Sequence, residues 1–174
     1  HLYFDIATSF AFDSQKVAAS HGLIDFCANL FAKNKKSKSS EPLPKTLLVC
    51  GQHWFDRSIY FDGGFRCLDY YISQIDSLVL EFDQVLYKPH PFWMPEKIAE
   101  LMRVRYQARD CVDENIYELF SSGNIHTAAA ISSSILTEAP YFGIQSVFLE
   151  PRAKRYGPAI SYRALLDNSE FWEE

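Results

Sequence analysis

The sequence of 174 residues lacks the features that identify several classes of protein. It has no apolar run of about 18 residues, so it predicts no membrane-spanning helix. Its four cysteines are widely spaced and form no Cys-x-x-Cys pair, which argues against a zinc site and favours buried thiols in a reducing compartment. The formal net charge of −5 gives no reason to expect non-specific binding to nucleic acid.

Several short ligand-binding motifs are missing as well. There is no Gly-x-Gly-x-x-Gly and no Gly-x-x-x-x-Gly-Lys-Ser/Thr, which argues against a dinucleotide fingerprint and a P-loop. There is no Gly-x-Ser-x-Gly, so a hydrolase nucleophile elbow is not indicated. No Asp-x-Asp pair is present to hold a divalent ion on a diphosphate. These absences favour a donor that carries a single phosphate and needs no metal.

The composition indicates a globular protein with a substantial core. Apolar residues make up 48% of the chain and aromatic residues 16%. We divide the chain into an N-terminal segment with a linker, residues 1–44, and a domain over residues 45–174. The linker, Lys33–Pro44, is basic, rich in serine and closed by two prolines, so we expect a flexible surface segment. The chain starts at His1 rather than Met, and we therefore expect a fragment or an excised domain.

Short apolar segments alternate with segments of helical periodicity. This alternation predicts an α/β fold, a Rossmann-like parallel sheet flanked by helices, with a short helical N-terminal segment around Val17–Phe31. The predicted strands are Thr46–Cys50, Gln84–Tyr87, Thr127–Ile131 and Ser146–Leu149. The predicted helices are Gly64–Leu80, Pro95–Tyr106, Asn115–Ser121, Leu136–Phe142 and Leu165–Trp172.

Three motifs each follow directly after a predicted strand. They are Gly51-Gln52, His90 within Lys88-Pro-His-Pro91, and Ser132-Ser133-Ser134. Ligands of such sheets bind at the carboxyl ends of the strands. The sequence therefore predicts that the three motifs meet at one edge of the sheet.

The first motif continues into Asp56-Arg57-Ser58. Asp56 has the chemistry of a carboxylate nucleophile or base, and Gln52 could position it by a hydrogen bond. The alternative is that Asp56 caps a turn or helix, pairing with Arg57 or bonding Ser58. The residues of this segment leave both interpretations open.

The second motif offers a cation and an imidazole. Lys88 and His90 could bind a phosphate, and His90 could protonate a departing phosphate oxygen because its ordinary pKa is about 6.5. The alternative is a structural turn in which His90 bonds the backbone. His53 and His126 have no comparable setting, and we expect both to be structural.

The third motif places hydroxyls and backbone N–H groups at the start of a predicted helix. Ser132, Ser133 and Ser134 are therefore candidates for holding a phosphate, although serine also favours ordinary N-capping. Glu138, one turn further, could accept hydrogen bonds from ribose hydroxyls or could be a solvated helix residue. A glycine cap at Gly143 should end this helix.

Taken together, these residues resemble the nucleotide-sugar-binding half of a GT-B-type glycosyltransferase. Gly51-Gln52 with Asp56-Arg57-Ser58, Lys88-Pro-His-Pro91, and Ser132–Ser134 with Glu138 look like the retaining β-Kdo transferases that build bacterial capsules and lipopolysaccharide. The likeness covers roughly residues 45–172. Bacterial sialyltransferases share the His-Pro and Ser-Ser elements, whereas the Gln-x-x-x-Asp-x-Ser element favours Kdo transfer.

The resemblance implies transfer of Kdo from CMP-β-Kdo to a glycan acceptor without a metal or other cofactor. It implies that His90 and Ser132–Ser134 hold the phosphate with help from Lys88, and that Glu138 holds the ribose. Gln52 and Ser58 would also belong to the donor-binding site. Retention of configuration would follow from attack by Asp56 on the anomeric carbon, giving a covalent adduct.

The resemblance also implies a partner and a location. The acceptor glycan and the residue that deprotonates it would belong to an acceptor-binding half, of which residues 1–44 are too short to be more than a remnant. A cytoplasmic protein is expected, with the inner face of the bacterial cytoplasmic membrane as the alternative. Two other functions stay open: an inverting, sialyltransferase-like CMP-sugar transferase with His90 as the acid, and a non-catalytic CMP-binding or assembly module.

Overall fold

A computed structural model of the chain describes residues 44–92 and 95–153. The predicted helices at Val17–Phe31 and Leu165–Trp172, and nearly all of the segment 1–44, lie outside these residues. The described part contains a sheet of five parallel strands in the order β5–β4–β1–β6–β7. The strands are β1 (Thr46–Cys50), β4 (Gln84–Lys88), β5 (Arg109–Asp110), β6 (Ile125–Ala130) and β7 (Gln145–Phe148).

The order of the strands gives the sheet its Rossmann-like topology and confirms the predicted fold class. In the described part, the chain first forms the central strand β1, adds β4 and β5 on one side, and then returns to add β6 and β7 on the other. The topology therefore reverses between β1 and β6, which is where a sheet of this kind opens a crevice for a ligand.

Four α-helices lie in the described part of the chain. They are α1 (Ile72–Val79), α2 (Glu96–Tyr106), α3 (Ile116–Ser121) and α4 (Ile135–Glu138). Alternation along β1 divides its side chains between two apolar layers. Leu47 and Val49 pack in one layer with residues of α1 and α2, and Leu48 and Cys50 pack in the other with residues of α3 and α4. Both faces of β1 are thus buried, which explains its unbroken apolar sequence.

The prediction of one helix over Gly64–Leu80 is wrong in its first part. Gly64–Phe65 forms a strand, β3, which pairs antiparallel with β2 (Tyr60–Phe61). The two residues between them, Asp62 and Gly63, have φ angles of 50° and 83°. Positive φ at both central residues is the type I′ turn that Asp-Gly favours in tight hairpins. The Asp62-Gly63 dipeptide was therefore the overlooked signal.

The other predicted elements that fall within the described residues are confirmed with small shifts of their ends. A 3₁₀ turn at Leu68–Tyr71 precedes α1, and a second one at Ala139–Phe142 follows α4. Gly143 ends that segment at φ 74°, as its predicted role as a cap requires. The strand β5 was not predicted, because two residues are too few for a visible alternation.

Candidate functional site

The residue after β1 lies close to the chain that leaves β4. The N–H of Gly51 donates to the carbonyl of Lys88 at 2.8 Å. A Cβ atom at position 51 would lie 3.0 Å from the hydroxyl oxygen of Tyr87 and 3.3 Å from the backbone nitrogen of His90. Only glycine allows this approach, which brings the first and second motifs together at the carboxyl edge of the sheet.

Gln52 links the first motif to the third across the point where the topology reverses. Its side chain is buried, and its Oε1 accepts from the N–H of Ser132 at 2.7 Å. Its Nε2 donates to the hydroxyl oxygens of Ser58 and Ser132, both at 3.1 Å. Because these two bonds use both amide hydrogens, Gln52 does not position Asp56 directly as one interpretation of the sequence had it.

The hydroxyl of Ser132 belongs to the same network. It can donate its single proton to the carbonyl of Ser58 at 2.9 Å or to the Ser58 hydroxyl at 3.0 Å. We name this set of bonds among Gln52, Ser58 and Ser132 the glutamine clip. The clip uses the polar groups of Ser132 internally. The hydrogen bonds of the described residues leave the backbone N–H groups of Ser133 and Ser134 uncommitted at this edge.

Asp56 lies between Gln52 and Ser58 in the same loop. Its Oδ1 accepts from the N–H of Ser58 at 2.9 Å, so it caps the 3₁₀ turn Arg57–Ile59. This confirms the bond to Ser58 in the capping alternative. The cap uses one carboxylate oxygen and fixes the direction of the side chain relative to the clip.

His90 is partly buried, and its Nδ1 accepts from the N–H of Phe92 at 3.2 Å. A ring nitrogen that accepts a hydrogen bond carries no proton, so this bond selects the neutral tautomer with its hydrogen on Nε2. Burial is the main cause that lowers the pKa of His90, and His53 lowers it further, while the Asp56 carboxylate opposes both. The geometry and the lowered pKa therefore agree on a neutral imidazole, and the geometry places its hydrogen on Nε2.

Two predicted site residues make contacts outside the clip. The ammonium group of Lys88 donates to the carbonyl of Val112 at 2.8 Å, on the side of the outer strand β5. Glu138 accepts from the hydroxyl of Tyr117 on α3 at 2.7 Å. Roles of these two residues in binding a donor stay predictions.

The other two histidines behave differently from each other. The Nδ1 atom of His126 accepts from the N–H of Thr46 at 3.1 Å, which confirms its structural role. The ring of His53, in contrast, stands edge-to-face against that of His90, with centroids 5.6 Å apart. We had expected His53 to be structural, yet it lies at the candidate site. Its position two residues after Gly51, at the end of β1, was the signal.

A second polar cluster lies at the end of β7, and the sequence interpretation missed it. Glu150 is only 2% exposed, and its carboxylate accepts from the hydroxyl of Tyr71 at 2.8 Å and from Nε of Arg152 at 2.9 Å. The hydrogen bonds from Arg152 are the main cause that lowers the pKa of Glu150 to about 2. Arg66 lies beside it, and Arg66 and Arg152 both bond Asp62 in the hairpin turn.

We name these five residues the Glu150 network. It ties the β2–β3 hairpin to the carboxyl end of β7. The signal for it was the position of a glutamate directly after a predicted strand.

Within residues 44–92 and 95–153, no cluster of three or more histidine, cysteine or acidic residues is suited to hold a metal ion. In the same ranges, no helix combines the length and apolar character needed to cross a membrane.

No protein-family model matches the chain, and no curated protein matches it either. A solved structure, Thermosulfurimonas dismutans KpsC, beta Kdo 2,7 transferase, is similar at 17% sequence identity and a TM-score of 0.48. The match covers 90% of this chain and 52% of that one, so the chain spans about half the length of the solved structure. A likeness this distant identifies no function.

Proposed function

We propose that the chain is the donor-binding half of a glycosyltransferase that moves Kdo from CMP-β-Kdo to a glycan acceptor in bacterial capsule or lipopolysaccharide synthesis. The observation that carries the proposal is the glutamine clip. It joins the loop of Asp56, a carboxylate close enough to His90 to affect its pKa, to the Ser132 segment at the point where the strand order reverses. The choice of Kdo rests on the resemblance of the sequence motifs.

The phosphate of the donor would bind at the carboxyl edge of the sheet, where two backbone N–H groups and one imidazole are the proposed donors. Among the described residues, the backbone N–H groups of Ser133 and Ser134 are uncommitted, and neutral His90 offers an Nε2–H. Hydrogen bonds from N–H groups to a phosphate oxygen are charge-assisted and therefore strong. Ser132 and Gln52 would act by holding this segment in place, since the clip already uses their polar groups.

Lys88 and Glu138 would need to adjust in order to take part. Lys88 would exchange the carbonyl of Val112 for a phosphate oxygen, which a long side chain can do at small cost. Glu138 would accept from a ribose hydroxyl beside Tyr117.

The proposed reaction is a double displacement. A carboxylate oxygen of Asp56 attacks the anomeric carbon as the bond from that carbon to the phosphate oxygen of CMP breaks. The electron pair leaves with CMP, which His90 stabilises by its Nε2–H. An acceptor hydroxyl then displaces the carboxylate and gives its proton to a base on the acceptor-binding half, so two inversions retain the configuration.

Intact-protein mass spectrometry with CMP-Kdo made in situ tests this function. We expect a mass gain of one Kdo on the unchanged chain and none on Asp56→Ala. Asp69→Ala, which removes a carboxylate at the start of the 3₁₀ turn before α1, is the matched control and should keep the adduct. CMP binding is measured on the same samples by calorimetry.

The other outcomes distinguish the alternatives. CMP release and sugar transfer without an adduct would replace the double displacement by the inverting reaction. CMP binding with neither adduct nor turnover, also after addition of an acceptor-binding half, would leave a non-catalytic binding module. Absence of CMP binding would overturn the proposed donor.

A further inference from the structure

A group of exposed aromatic rings adjoins the candidate site. Trp54, Phe55, Tyr60 and Phe65 each expose 46–55% of their surface. Their rings form one chain of contacts, with centroids 4.7 Å apart for Trp54 and Phe55, 6.3 Å for Trp54 and Phe65, and 5.1 Å for Tyr60 and Phe65. We name these four residues the aromatic ridge. Its members come from the loop after β1 and from the β2–β3 hairpin.

The ridge is continuous with the histidines of the candidate site. The ring centroids of Phe55 and His53 lie 3.9 Å apart, and those of His53 and His90 lie 5.6 Å apart. Phe92, which is exposed, extends the row beyond His90 at 5.7 Å. An unbroken row of rings therefore runs from the hairpin to the imidazole that we assign to the donor phosphate.

The Glu150 network holds one side of the ridge in place. Arg152 bonds both carboxylate oxygens of Asp62, at 3.0 Å and 3.1 Å, and the hairpin that Asp62 turns carries Tyr60 and Phe65. The guanidinium carbon of Arg66, the residue after the hairpin, lies 4.3 Å from the centroid of the Tyr70 ring. A hairpin held in place before a ligand arrives loses little entropy on binding, which is a property of binding platforms.

We infer that the aromatic ridge is the platform on which the sugars of the acceptor glycan stack. The inference rests on the proposed function. A hydroxyl that attacks the sugar carbon must approach the edge that holds the donor, so the sugars behind that hydroxyl pass over the adjoining surface. That surface consists of half-exposed aromatic rings with polar groups on Trp54 and Tyr60, which suit the C–H groups and the hydroxyls of sugars.

Ligand-observed NMR tests the inference on the full chain. Saturation of the aromatic ring protons is transferred to the C–H protons of a bound sugar. The probe is an oligosaccharide that ends in β-linked Kdo, and CMP binding is measured by calorimetry on the same samples. We expect transfer to the C–H protons of the probe and affinity reduced about tenfold by Trp54→Ala or Phe65→Ala. CMP affinity should stay unchanged in both variants.

Leu80→Ala is the matched control, because Leu80 is an exposed apolar residue at the end of α1, outside the ridge. The control should bind the probe as the unchanged chain does. Circular dichroism of each variant establishes that it is folded, and Trp54→Phe should keep most of the affinity since it retains a ring.

The failures of the two proposals are distinguishable. If the chain binds CMP but not the probe, the ridge inference is overturned and the proposed donor site stands. The same holds if the ridge variants bind the probe as well as the unchanged chain does. Probe binding through the ridge in a chain that does not bind CMP keeps a sugar-binding surface and overturns the transferase proposal. Concentration-dependent dimers that Trp54→Ala abolishes would show a contact between copies and overturn the glycan platform.

Discussion

Gly51 shows how one missing side chain shapes the candidate site. Its position against Tyr87 and the backbone of His90 leaves 3.0–3.3 Å for a Cβ atom, which is closer than carbon packs without displacing its neighbours. The ring of Tyr87 is buried, so it has little room to yield. The approach of the loop after β1 to the histidine after β4 thus depends on glycine at this position.

We predict that Gly51→Ala lowers the free energy of unfolding by about 1–3 kcal/mol, as overpacking of a closed site does. Urea unfolding at pH 7 measures the change. Gly64→Ala is the control, because a Cβ there would meet nothing within 4 Å and its φ is not positive. Its effect should stay within about 0.5 kcal/mol. Equal losses in both variants would contradict the close approach.

His90 provides a second test at the scale of the residue. Its pKa in the folded chain lies below the ordinary value of about 6.5 because of burial and of His53. We predict that NMR titration finds this lowered pKa and that Asp56→Asn lowers it further, since the Asp56 carboxylate is the group that raises it. Asp69→Asn should leave it unchanged. An unaltered pKa of His90 in Asp56→Asn would show that the Asp56 carboxylate does not act on the imidazole, and would contradict their proximity.

The same shift fixes the sign of its effect on stability. Below about pH 6.5, His90 becomes protonated in the unfolded chain, whereas in the folded chain it stays neutral until the pH reaches its lower pKa. The contribution of His90 to the free energy of unfolding therefore falls as the pH drops below that value, and it levels off below the pKa of the folded state.

At the scale of elements, the hairpin β2–β3 has only four strand residues and cannot be stable alone. The Glu150 network supplies the missing stability by bonding the hairpin turn and the sheet to the same two arginines. Its central carboxylate is buried with three charged or polar partners. Loss of that carboxylate would leave Asp62 as the carboxylate that Arg66 and Arg152 share.

We predict that Glu150→Gln lowers the free energy of unfolding by about 2 kcal/mol at pH 7, because Glu150 is buried and loses hydrogen bonds from charged partners, while solvent screens the half-exposed Arg152. Glu150 ionises with a pKa of about 2 in the folded chain, below its ordinary value of 4.5. Its contribution is therefore complete above about pH 4.5 and is lost as the pH falls toward 2. The difference between the two proteins should shrink over that range in urea unfolding.

Asp76→Asn is the control for this prediction. Asp76 pairs with Arg105 between α1 and α2, but the pair is exposed. Exposed pairs contribute about 0–1 kcal/mol, and the control should cost no more than that. An equal decrease in the free energy of unfolding in both variants would contradict the claim that the Glu150 network stabilises the fold more than an exposed ion pair does.

At the scale of the whole molecule, a ligand bound as we propose at the carboxyl edge would contact segments after β1, β4 and β6 at once. It therefore stabilises the sheet across the point where the strand order reverses. Binding to the folded chain alone raises the free energy of unfolding by about 2.7 kcal/mol at a ligand concentration of 100 Kd.

We predict that CMP at 100 Kd raises the Tm by about 5–10 °C, the shift that this stabilisation gives in a chain of this size. Differential scanning calorimetry measures it. Gln52→Leu, which removes the glutamine clip while keeping the size of the side chain, should bind CMP more weakly and show a smaller shift at the same CMP concentration. Cytidine without phosphate is the control and should have little effect. An equal shift with cytidine would mean that the phosphate is not recognised.

The sequence by itself determined the sheet and the edge at which the motifs meet. The unbroken apolar run Thr46–Cys50 predicts a strand buried on both faces, because this pattern is local. The position of each motif directly after a strand predicts that the motifs meet at one edge, because the carboxyl ends of parallel strands lie at the same edge. The sequence analysis missed the hairpin, although the dipeptide Asp62-Gly63 is typical of a tight hairpin turn. The predicted helix was started at Gly64 because the residues from Phe65 onward have helical apolar spacing, but Gly64 and Phe65 belong to the second strand of the hairpin.

Only the tertiary structure decided which groups bond one another. Gln52 and Ser132 are 80 positions apart, and Tyr71 and Glu150 are 79 apart. Their partners depend on strand order and register, which no local pattern contains. The same holds for His53, which adjoins His90 only because β1 and β4 are neighbours in the sheet. Local chemistry thus selected the candidate residues, and long-range packing determined what each of them contacts.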